Sequence, residues 1–153
     1  MNKIRILPIA LIIIILDQAS KIIVRNNLNI GDHWPATWKF FHISHIQNSG
    51  GAFGSFQNMN NILLIVSVAI LIVLFIYVLK LKKINYLELL AIGLIIGGGI
   101  GNILDRIFIG SVTDFIDPIY YPAFNIADSS IVIGIALYGI NILRMNGCND
   151  KKN

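Results

Sequence analysis

Four aspartates stand close together in the sequence, between two apolar runs: Asp105, Asp114, Asp117 and Asp128. Charged side chains are costly at membrane depth, and those that do occur there usually serve a function. Two carboxylates in one poorly hydrated site cannot both ionise easily, so they share a proton. The ionised carboxylate can then act as a base for a water molecule, while the protonated one polarises a carbonyl group. The cluster therefore predicts acid–base chemistry on a carbonyl compound.

The spacing of the aspartates distinguishes their roles. Asp128 follows Asn125 by three residues at an expected helix start, which is typical of a helix N-cap with an acid in the first turn. Capping alone is therefore one interpretation of Asp128. The helix N-terminus favours the ionised form of Asp128, so Asp114 would more often hold a shared proton. Asp117 precedes Pro118 and is predicted to be a turn residue.

The elements that position these groups follow from the composition. The 153 residues are 56% hydrophobic and 13% charged, whereas a soluble domain carries about 25% charged residues. The mean hydropathy is +0.73. We therefore expect one all-α integral membrane domain that covers residues 1–153. Apolar runs of about 18 residues can span a bilayer, and the predicted transmembrane helices fall at about 4–24, 62–79, 87–104 and 126–143.

Residues 25–61 form the longest predicted segment outside the membrane. Trp34 and Trp38 are expected to anchor this segment at the membrane–water boundary. Partial alternation of apolar and polar residues over 40–47 predicts a short strand pair. We therefore expect a small extracytoplasmic β or loop region after the first helix.

Basic residues near the span ends predict the orientation of the protein. Most of the 12 Lys and Arg residues lie before the first span, between the second and third spans, or after the fourth. We therefore expect both termini in the cytoplasm and the aspartates toward the outer face. The first span is expected to be a retained helix, since no small-x-small cleavage site is evident. Nucleic acid is not an expected partner, because the basic residues flank apolar runs and form no face of their own.

Asp17 and Lys21 stand four residues apart in the first predicted helix, where they can form an ion pair. Two interpretations remain open. Either the pair lies near the membrane surface with Lys21 extending outward, or it supports a site or contacts a substrate at the mouth of that site.

Two glycine-rich strings accompany the polar residues. The string from Asn48 to Gly54 is either a plain turn or a backbone cradle for an extended peptide. The string from Gly97 to Arg106 lets another helix or a ligand approach closely. Nucleotide binding is rejected there, because a phosphate-binding glycine loop follows a strand in a soluble βαβ unit. Asp105 and Arg106 are predicted to form a structural ion pair.

The sequence lacks the sets of residues that a metal site or serine catalysis would need. His33, His42 and His45 have no Cys or carboxylate at ligand spacing, so no metal site is expected. Serine catalysis needs a base near its serine, and no histidine lies near the aspartates in the sequence. The single cysteine, Cys148, is interpreted as an incidental thiol of the C-terminal tail.

Five motifs together resemble the lipoprotein signal peptidase family, also called signal peptidase II. They are Asp17-Gln-x-x-Lys21, Asn48-x-Gly-x-Ala-Phe-Gly54, Gly98-x-x-Gly-Asn-x-x-Asp-Arg106, Val112-x-Asp-Phe115 and Phe124-Asn-x-Ala-Asp128. Each motif alone is modest, but the five in this order are specific. The resemblance implies a four-helix intramembrane aspartyl protease of the bacterial cytoplasmic membrane.

By this resemblance the catalytic pair falls on Asp114 and Asp128. The implied supporting and substrate-binding residues are Asp17, Lys21, Asn48, Gly54, Asn102, Asp105, Arg106 and Asn125. The implied substrate is a prolipoprotein, cut just before a diacylglyceryl-modified cysteine. Membrane lipid is a further implied partner, no metal or organic cofactor is implied, and we expect a monomer.

Two other functions remain as alternatives. Acids in membrane spans often relay protons, but Glu88 is the one acid expected in a cytoplasmic half of a span, so a continuous relay is absent. A non-catalytic assembly subunit could use the glycine face of the third span. Such a subunit would not need Asp114 and Asp128 together.

Overall fold

Four long helices and a small sheet make up the described part of the chain. The computed structural model describes residues 2–50, 59–118 and 120–149, with the backbone alone for residues 146–149. A 3₁₀ turn at Lys3–Arg5 leads into the first helix. The helices are α1 (Ile6–Asn27), α2 (Asn60–Lys80), α3 (Tyr86–Phe108) and α4 (Ile126–Asn149). The strands are β1 (His33–Trp34), β2 (Phe41–Asn48) and β3 (Val112–Pro118).

Each of the four predicted spans is confirmed as a helix long and apolar enough to cross a membrane. The helices extend a few residues beyond the predicted limits, because polar residues such as Asn27, Asn60 and Arg106 still belong to the terminal turns. Leu, Ile and Val dominate the helices, and many of these side chains are exposed on the protein surface. Exposed apolar faces of this length suit contact with lipid chains.

Helix α3 is the centre of the bundle. Half of its most apolar 18-residue stretch is buried inside the protein, compared with 6% of the corresponding stretch of α2. Its glycines allow this burial, since a Cβ added at Gly98 would strike the carbonyl group of Ala127 in α4. A Cβ at Gly101 would lie 2.6 Å from a carboxylate oxygen of Asp17 in α1. The predicted tight packing of the glycine-rich string is therefore confirmed.

The sheet has the order β1-β2-β3, and both pairings are antiparallel. The expected small β region after the first helix is thus confirmed, but its third strand comes from the segment between α3 and α4. Asn48 pairs with Val112, and residues two apart in a strand share a face. Asn48 and Asp114 therefore point to the same side of the sheet.

The sequence-based prediction that Asp117 is a turn residue is wrong. Asp117 lies within β3 opposite His42 rather than in a turn, and one of its carboxylate oxygens accepts a 2.6 Å hydrogen bond from Ser44 Oγ. The following Pro118 is the last residue of the strand. Proline is tolerated at that position because an edge strand needs no further backbone donor there.

Candidate active site

A cavity of about 260 Å³ opens where the sheet meets the ends of α3 and α4. Four elements supply its polar lining, which comprises Asn48 from β2, Asn102 and Arg106 from α3, Asp114 from β3 and Asp128 from α4. The remaining lining is apolar or aromatic and includes Tyr121 and Phe124. Residues far apart in the sequence thus converge on one polar hollow at the end of an apolar bundle.

The carboxylate of Asp114 is held by two amide side chains. Asn48 Nδ2 donates to Asp114 Oδ2 at 2.8 Å, and Asn125 Nδ2 donates to Oδ1 at 2.7 Å. Asp114 is only 2% exposed. Burial raises the pKa of Asp114 to about 7, and the nearby charge of Asp128 adds to the rise, while the amide donors oppose it. Asp114 can therefore carry a proton at neutral pH.

Asp128 lies at the start of α4, where it closes a capping box with Asn125. The Asp128 backbone N–H donates to Asn125 Oδ1 at 2.8 Å, and Asp128 Oδ2 accepts from the Asn125 backbone N–H at 3.3 Å. The predicted N-cap is therefore confirmed. The other oxygen, Oδ1, accepts from Asn102 Nδ2 at 2.8 Å. Asp128 caps the helix and lines the cavity at once.

Two asparagines connect the aspartates to each other. Asn125 is fully buried, and besides Asp114 its Nδ2 reaches Asn102 Oδ1 at 3.2 Å. Asn102 in turn donates to Asp128. The hydrogen bonds therefore run from Asp114 through Asn125 and Asn102 to Asp128, so the two carboxylates are positioned by one network.

Lys21 lies behind this network and has no exposed surface. Its Nζ is 2.9 Å from Asp17 Oδ2 and 3.3 Å from Asp105 Oδ2. It also donates to Asn102 Oδ1 at 3.1 Å. The predicted pair of Asp17 and Lys21 is confirmed, but the interpretation that Lys21 extends outward is wrong. The ammonium group is kept inside because two carboxylates and one amide oxygen replace its water shell.

The predicted ion pair between Asp105 and Arg106 is also wrong. Adjacent residues in a helix point about 100° apart, and Asp105 faces α1, where it pairs with Lys21 and with Arg25 Nη1 at 3.3 Å. Asp105 Oδ2 also accepts from the backbone N–H of Thr113 at 2.9 Å. This carboxylate therefore fastens α1 and β3 to α3.

Arg106 faces the cavity instead. Its Nη1 donates to the Asn102 carbonyl oxygen at 3.5 Å, and its buried Nε has no hydrogen-bond partner among the described residues. A guanidinium group in the cavity wall gives the site a fixed positive charge beside the two aspartates. Such a charge can stabilise negative charge that develops during a reaction.

Asn48 ends β2 and begins the second glycine-rich string. Its Oδ1 accepts from the backbone N–H of Gly50 at 3.0 Å, a local hydrogen bond typical of asparagine side chains. The same side chain supplies the amide donor to Asp114. Gly54, together with the rest of residues 51–58, lies outside the described residues.

Sequence reasoning missed several residues of the site. Arg25 bonds both Asp105 and Thr113 Oγ1, the latter at 3.0 Å. Gln18 Nε2 donates to Asp105 Oδ1 at 3.2 Å. Arg25 follows Lys21 by four residues, so helical spacing alone could have placed it on the same face. No comparable signal marks Tyr121, whose position depends on the connection between β3 and α4.

The histidines have structural contacts within the sheet region. One nitrogen of His42 lies 2.8 Å from the Trp38 carbonyl oxygen, and one of His45 lies 2.8 Å from that of Leu28. Across residues 2–50, 59–118 and 120–149, no group of three or more His, Cys, Asp or Glu residues is placed to hold a metal ion. The polar groups that the described cavity offers are carboxylates, amides and one guanidinium group.

Comparison with known proteins identifies the family. The sequence profile of the family described as "Signal peptidase (SPase) II" matches residues 9–144. The chain belongs to the signal peptidase II family. A lipoprotein signal peptidase of Halothermothrix orenii is 39% identical over 129 residues, which cover 84% of this chain and 88% of the relative. The lipoprotein signal peptidase of Shouchella clausii is 38% identical over 145 residues, covering 94% of this chain and 95% of the relative.

Solved structures agree with the family assignment. A bacterial membrane enzyme determined in meso at 2.3 Å resolution matches with a TM-score of 0.83 and 36% identity, covering 91% of this chain and 87% of the other. As a signal peptidase II family member with four membrane-compatible helices, the chain is a multi-pass membrane protein and a protease. The ion-carrier and assembly-subunit alternatives are therefore rejected.

Proposed function

We propose that the chain is an intramembrane aspartyl endopeptidase that removes the signal peptide from diacylglyceryl-modified prolipoproteins, cutting just before the lipidated cysteine. The observation that carries the proposal is the joint positioning of Asp114 and Asp128 in one cavity by Asn125 and Asn102. The name shared by the relatives, lipoprotein signal peptidase, supports the choice of substrate. Asp17, Lys21, Asn48, Asp105 and Arg106 act as supporting residues of this site.

The proposed reaction begins with Asp128 ionised and Asp114 protonated. Asp128 takes a proton from water, and the water oxygen attacks the scissile carbonyl carbon while Asp114 gives its proton to the carbonyl oxygen. A neutral tetrahedral diol results. Asp128 then passes its new proton to the amide nitrogen and Asp114 takes one back from the diol as the C–N bond breaks. Both aspartates return to their starting states. Between the two steps Asp114 is ionised, and Arg106 offsets its negative charge.

The surroundings of the cavity suit a substrate anchored by lipid. Beside the aspartates lies a hollow of about 320 Å³, lined almost entirely by apolar groups that include Phe124, Val132 and Ile133. Val132 and Ile133 are exposed on the face that would contact lipid chains. A scissile bond next to a diacylglyceryl group would therefore be presented at membrane depth. We place both termini in the cytoplasm and the cavity toward the outer face, because of the distribution of basic residues.

The proposed function predicts that cleavage requires the lipid. The purified chain in proteoliposomes should process a diacylglyceryl-modified precursor and leave the same precursor without the lipid essentially uncut. The physical reason is that the lipid holds the scissile bond at the cavity, and such positioning contributes many orders of magnitude to rate. Gel mobility and mass spectrometry of the product measure both rate and cleavage position. Equal cleavage of both precursors, or a cut elsewhere than before the cysteine, would reject the proposal.

The pH dependence of the reaction follows from Asp114. The pKa of Asp114 lies at about 7 because of burial, so the protonated form that polarises the carbonyl is lost as the pH rises through that value. We therefore expect kcat to fall above a pH of about 7. Asn48→Ala removes a donor that lowers the pKa of Asp114, so the falling limb should move to higher pH.

A matched control for this shift is Asn27→Ala, which removes an exposed amide donor that bonds the Ile23 carbonyl oxygen and does not line the cavity. This variant should keep the wild-type pH profile. An unmoved falling limb in Asn48→Ala, measured as kcat against pH in detergent, would show that Asp114 does not control the limb.

A further inference from the structure

A third cavity lies away from the aspartates, on the lipid-facing side of the bundle. Helices α2 and α4 both pack on α3 and leave between them a groove of about 440 Å³. The groove is lined by α2 from Ile70 to Tyr77, by Ile92 and Ile95 of α3, and by Ile135 and Tyr138 of α4. It is apolar along most of its length and wide enough to hold the side chains of an added apolar segment.

The groove and the active-site cavity lie along the same face of α4. Asp128, Val132 and Ile135 follow each other at helical spacing, and Tyr138 continues the same stripe. The ten residues from Asp128 to Tyr138 correspond to about 15 Å along the helix axis. An elongated ligand can therefore reach from the aspartates to the far end of the groove.

A polar cluster closes the far end. Tyr77 Oη donates to Glu88 Oε1 at 3.0 Å, and the hydroxyl groups of Tyr77 and Tyr138 are 2.6 Å apart. Glu88 is 8% exposed, and among the described side chains it has no cationic group within ion-pair distance. Glu88 is also the one acid at this end of the described bundle. A carboxylate without a cation at the membrane boundary suggests that a cationic ligand completes the cluster.

A purely structural role accounts for only part of this arrangement. Glu88 lies in the first turn of α3, where an acid offsets the helix dipole, and its backbone N–H is capped by Asn85 Oδ1 at 2.9 Å. That role is satisfied by an exposed carboxylate. It does not require the carboxylate to accept a hydrogen bond from the Tyr77 hydroxyl group at the end of an apolar groove.

The signal peptide of a substrate has the chemistry and the length to fill both the apolar groove and the polar cluster at its far end. Signal peptides carry a basic n-region followed by an apolar h-region of about 7–15 residues, which spans about 10–22 Å as a helix. That length matches the helix rise of about 15 Å from Asp128 to Tyr138, whose hydroxyl group adjoins that of Tyr77. The neighbouring rim of the enzyme is itself basic, with Lys80, Lys82 and Lys83 between α2 and α3. Glu88 is thus the local group of opposite charge to the n-region.

We propose that Glu88 and Tyr77 form a subsite that binds a Lys or Arg side chain of the signal peptide's n-region, while the groove between α2 and α4 holds the h-region. The inference rests on the proposed function and adds a second point of substrate recognition, about 15 Å from the scissile bond by helix rise. Because the subsite is remote from the reacting atoms, it contributes to substrate binding and leaves the chemical step unchanged.

The test compares two diacylated precursors that differ only in whether their n-region carries Lys or Gln. Cleavage is followed in vesicles of zwitterionic lipid, so that lipid charge does not bind the n-region. Wild-type enzyme should show a KM about three- to fivefold lower for the Lys precursor, with the same kcat. Glu88→Gln keeps a hydrogen-bond acceptor for Tyr77 and should lose this difference. Asp32→Asn, which removes an exposed acid at the sheet end, should keep it.

Charge exchange gives a second readout that loss of folding cannot imitate. Glu88→Lys should favour a precursor whose n-region carries Glu over the Lys precursor. An undiminished preference for Lys in Glu88→Gln, or equal KM values for both precursors with wild-type enzyme, would overturn the subsite. Failure of wild-type enzyme to cleave any lipidated precursor would instead reject the proposed function.

Discussion

Replacing Asp114 or Asp128 by Asn is expected to lower the rate of prolipoprotein cleavage by about 10³-fold or more. Asparagine keeps the size of the side chain but can neither take a proton from water nor give one to the carbonyl oxygen. Both aspartates act in the same steps, so the double variant should be scarcely slower than either single variant. Single-turnover cleavage of a diacylated precursor, with enzyme in excess, measures the chemical step directly.

Asp117→Asn is the matched control for this prediction. Asp117 also lies in β3, three residues after Asp114, but its carboxylate accepts a hydrogen bond from Ser44. An asparagine oxygen can still accept that hydrogen bond. The control variant should therefore retain activity within about twofold, because the hydrogen bond is preserved and lies outside the cavity lining. Near-normal processing by Asp114→Asn or Asp128→Asn would remove the basis of the aspartyl mechanism.

Stability separates a catalytic loss from unfolding in the Asp114 variant. The pKa of Asp114 is raised from 3.8 to about 7 in the folded protein, so between these values the folded state binds the proton more readily than the unfolded state. Stability therefore decreases as the pH rises through this range. Asparagine does not titrate, so the Tm of Asp114→Asn relative to wild type should increase from pH 4 to pH 7. If Asp114→Asn is inactive but shows this relative gain in Tm, its loss of activity is due to the missing carboxyl group and not to unfolding.

The helices could be predicted from the sequence because a bilayer imposes length and composition together. Each apolar run long enough to cross became a helix, and the glycine-rich string packed closely, as expected. The capping box of Asn125 and Asp128 was also predictable, since it depends on residues three apart. Features of this kind follow from local spacing and from the need for every backbone N–H and C=O group in lipid to be hydrogen-bonded within the protein.

The errors came from contacts between distant segments. Strand β3 was not predicted because its pairing partner, β2, lies more than 60 residues earlier, and Asp117 was consequently assigned to a turn. Asp105 was paired with its sequence neighbour Arg106, although the charges that bind it, Lys21 and Arg25, come from another helix. Sequence spacing defines which residues share a face of one helix, but not which face of a second helix will oppose it.

The second large effect is expected at Lys21. Lys21→Met replaces the buried ammonium group by an apolar chain of similar length and leaves Asp17 and Asp105 without its charge. Arg25 still pairs with Asp105, but no other described cation pairs with Asp17. Removing one partner of a buried ion pair typically costs about 3–5 kcal/mol. We expect a large drop in Tm and poor recovery of folded enzyme, measured by thermal unfolding in detergent.

A second substitution tests whether the uncompensated charge causes this loss. Asp17→Asn removes the carboxylate that lacks a partner, and its side-chain oxygen can still accept from the backbone N–H of Ala127. The double variant Asp17→Asn with Lys21→Met should therefore recover most of the lost Tm, because Asp105 keeps its ion pair with Arg25 and position 17 no longer carries a charge. A double variant that is as unstable as Lys21→Met would indicate that lost packing, and not charge, is responsible.

The rescued double variant also shows how Lys21 affects the reaction. Lys21 Nζ donates to Asn102 Oδ1, which fixes the amide so that its Nδ2 faces Asp128. Without that donor the amide can turn and present its oxygen to Asp128, which repels the ionised carboxylate. We expect kcat about tenfold lower than for Asp17→Asn alone, with little change in KM. Equal kcat values for the two stable variants would mean that Asn125 alone holds Asn102 in place.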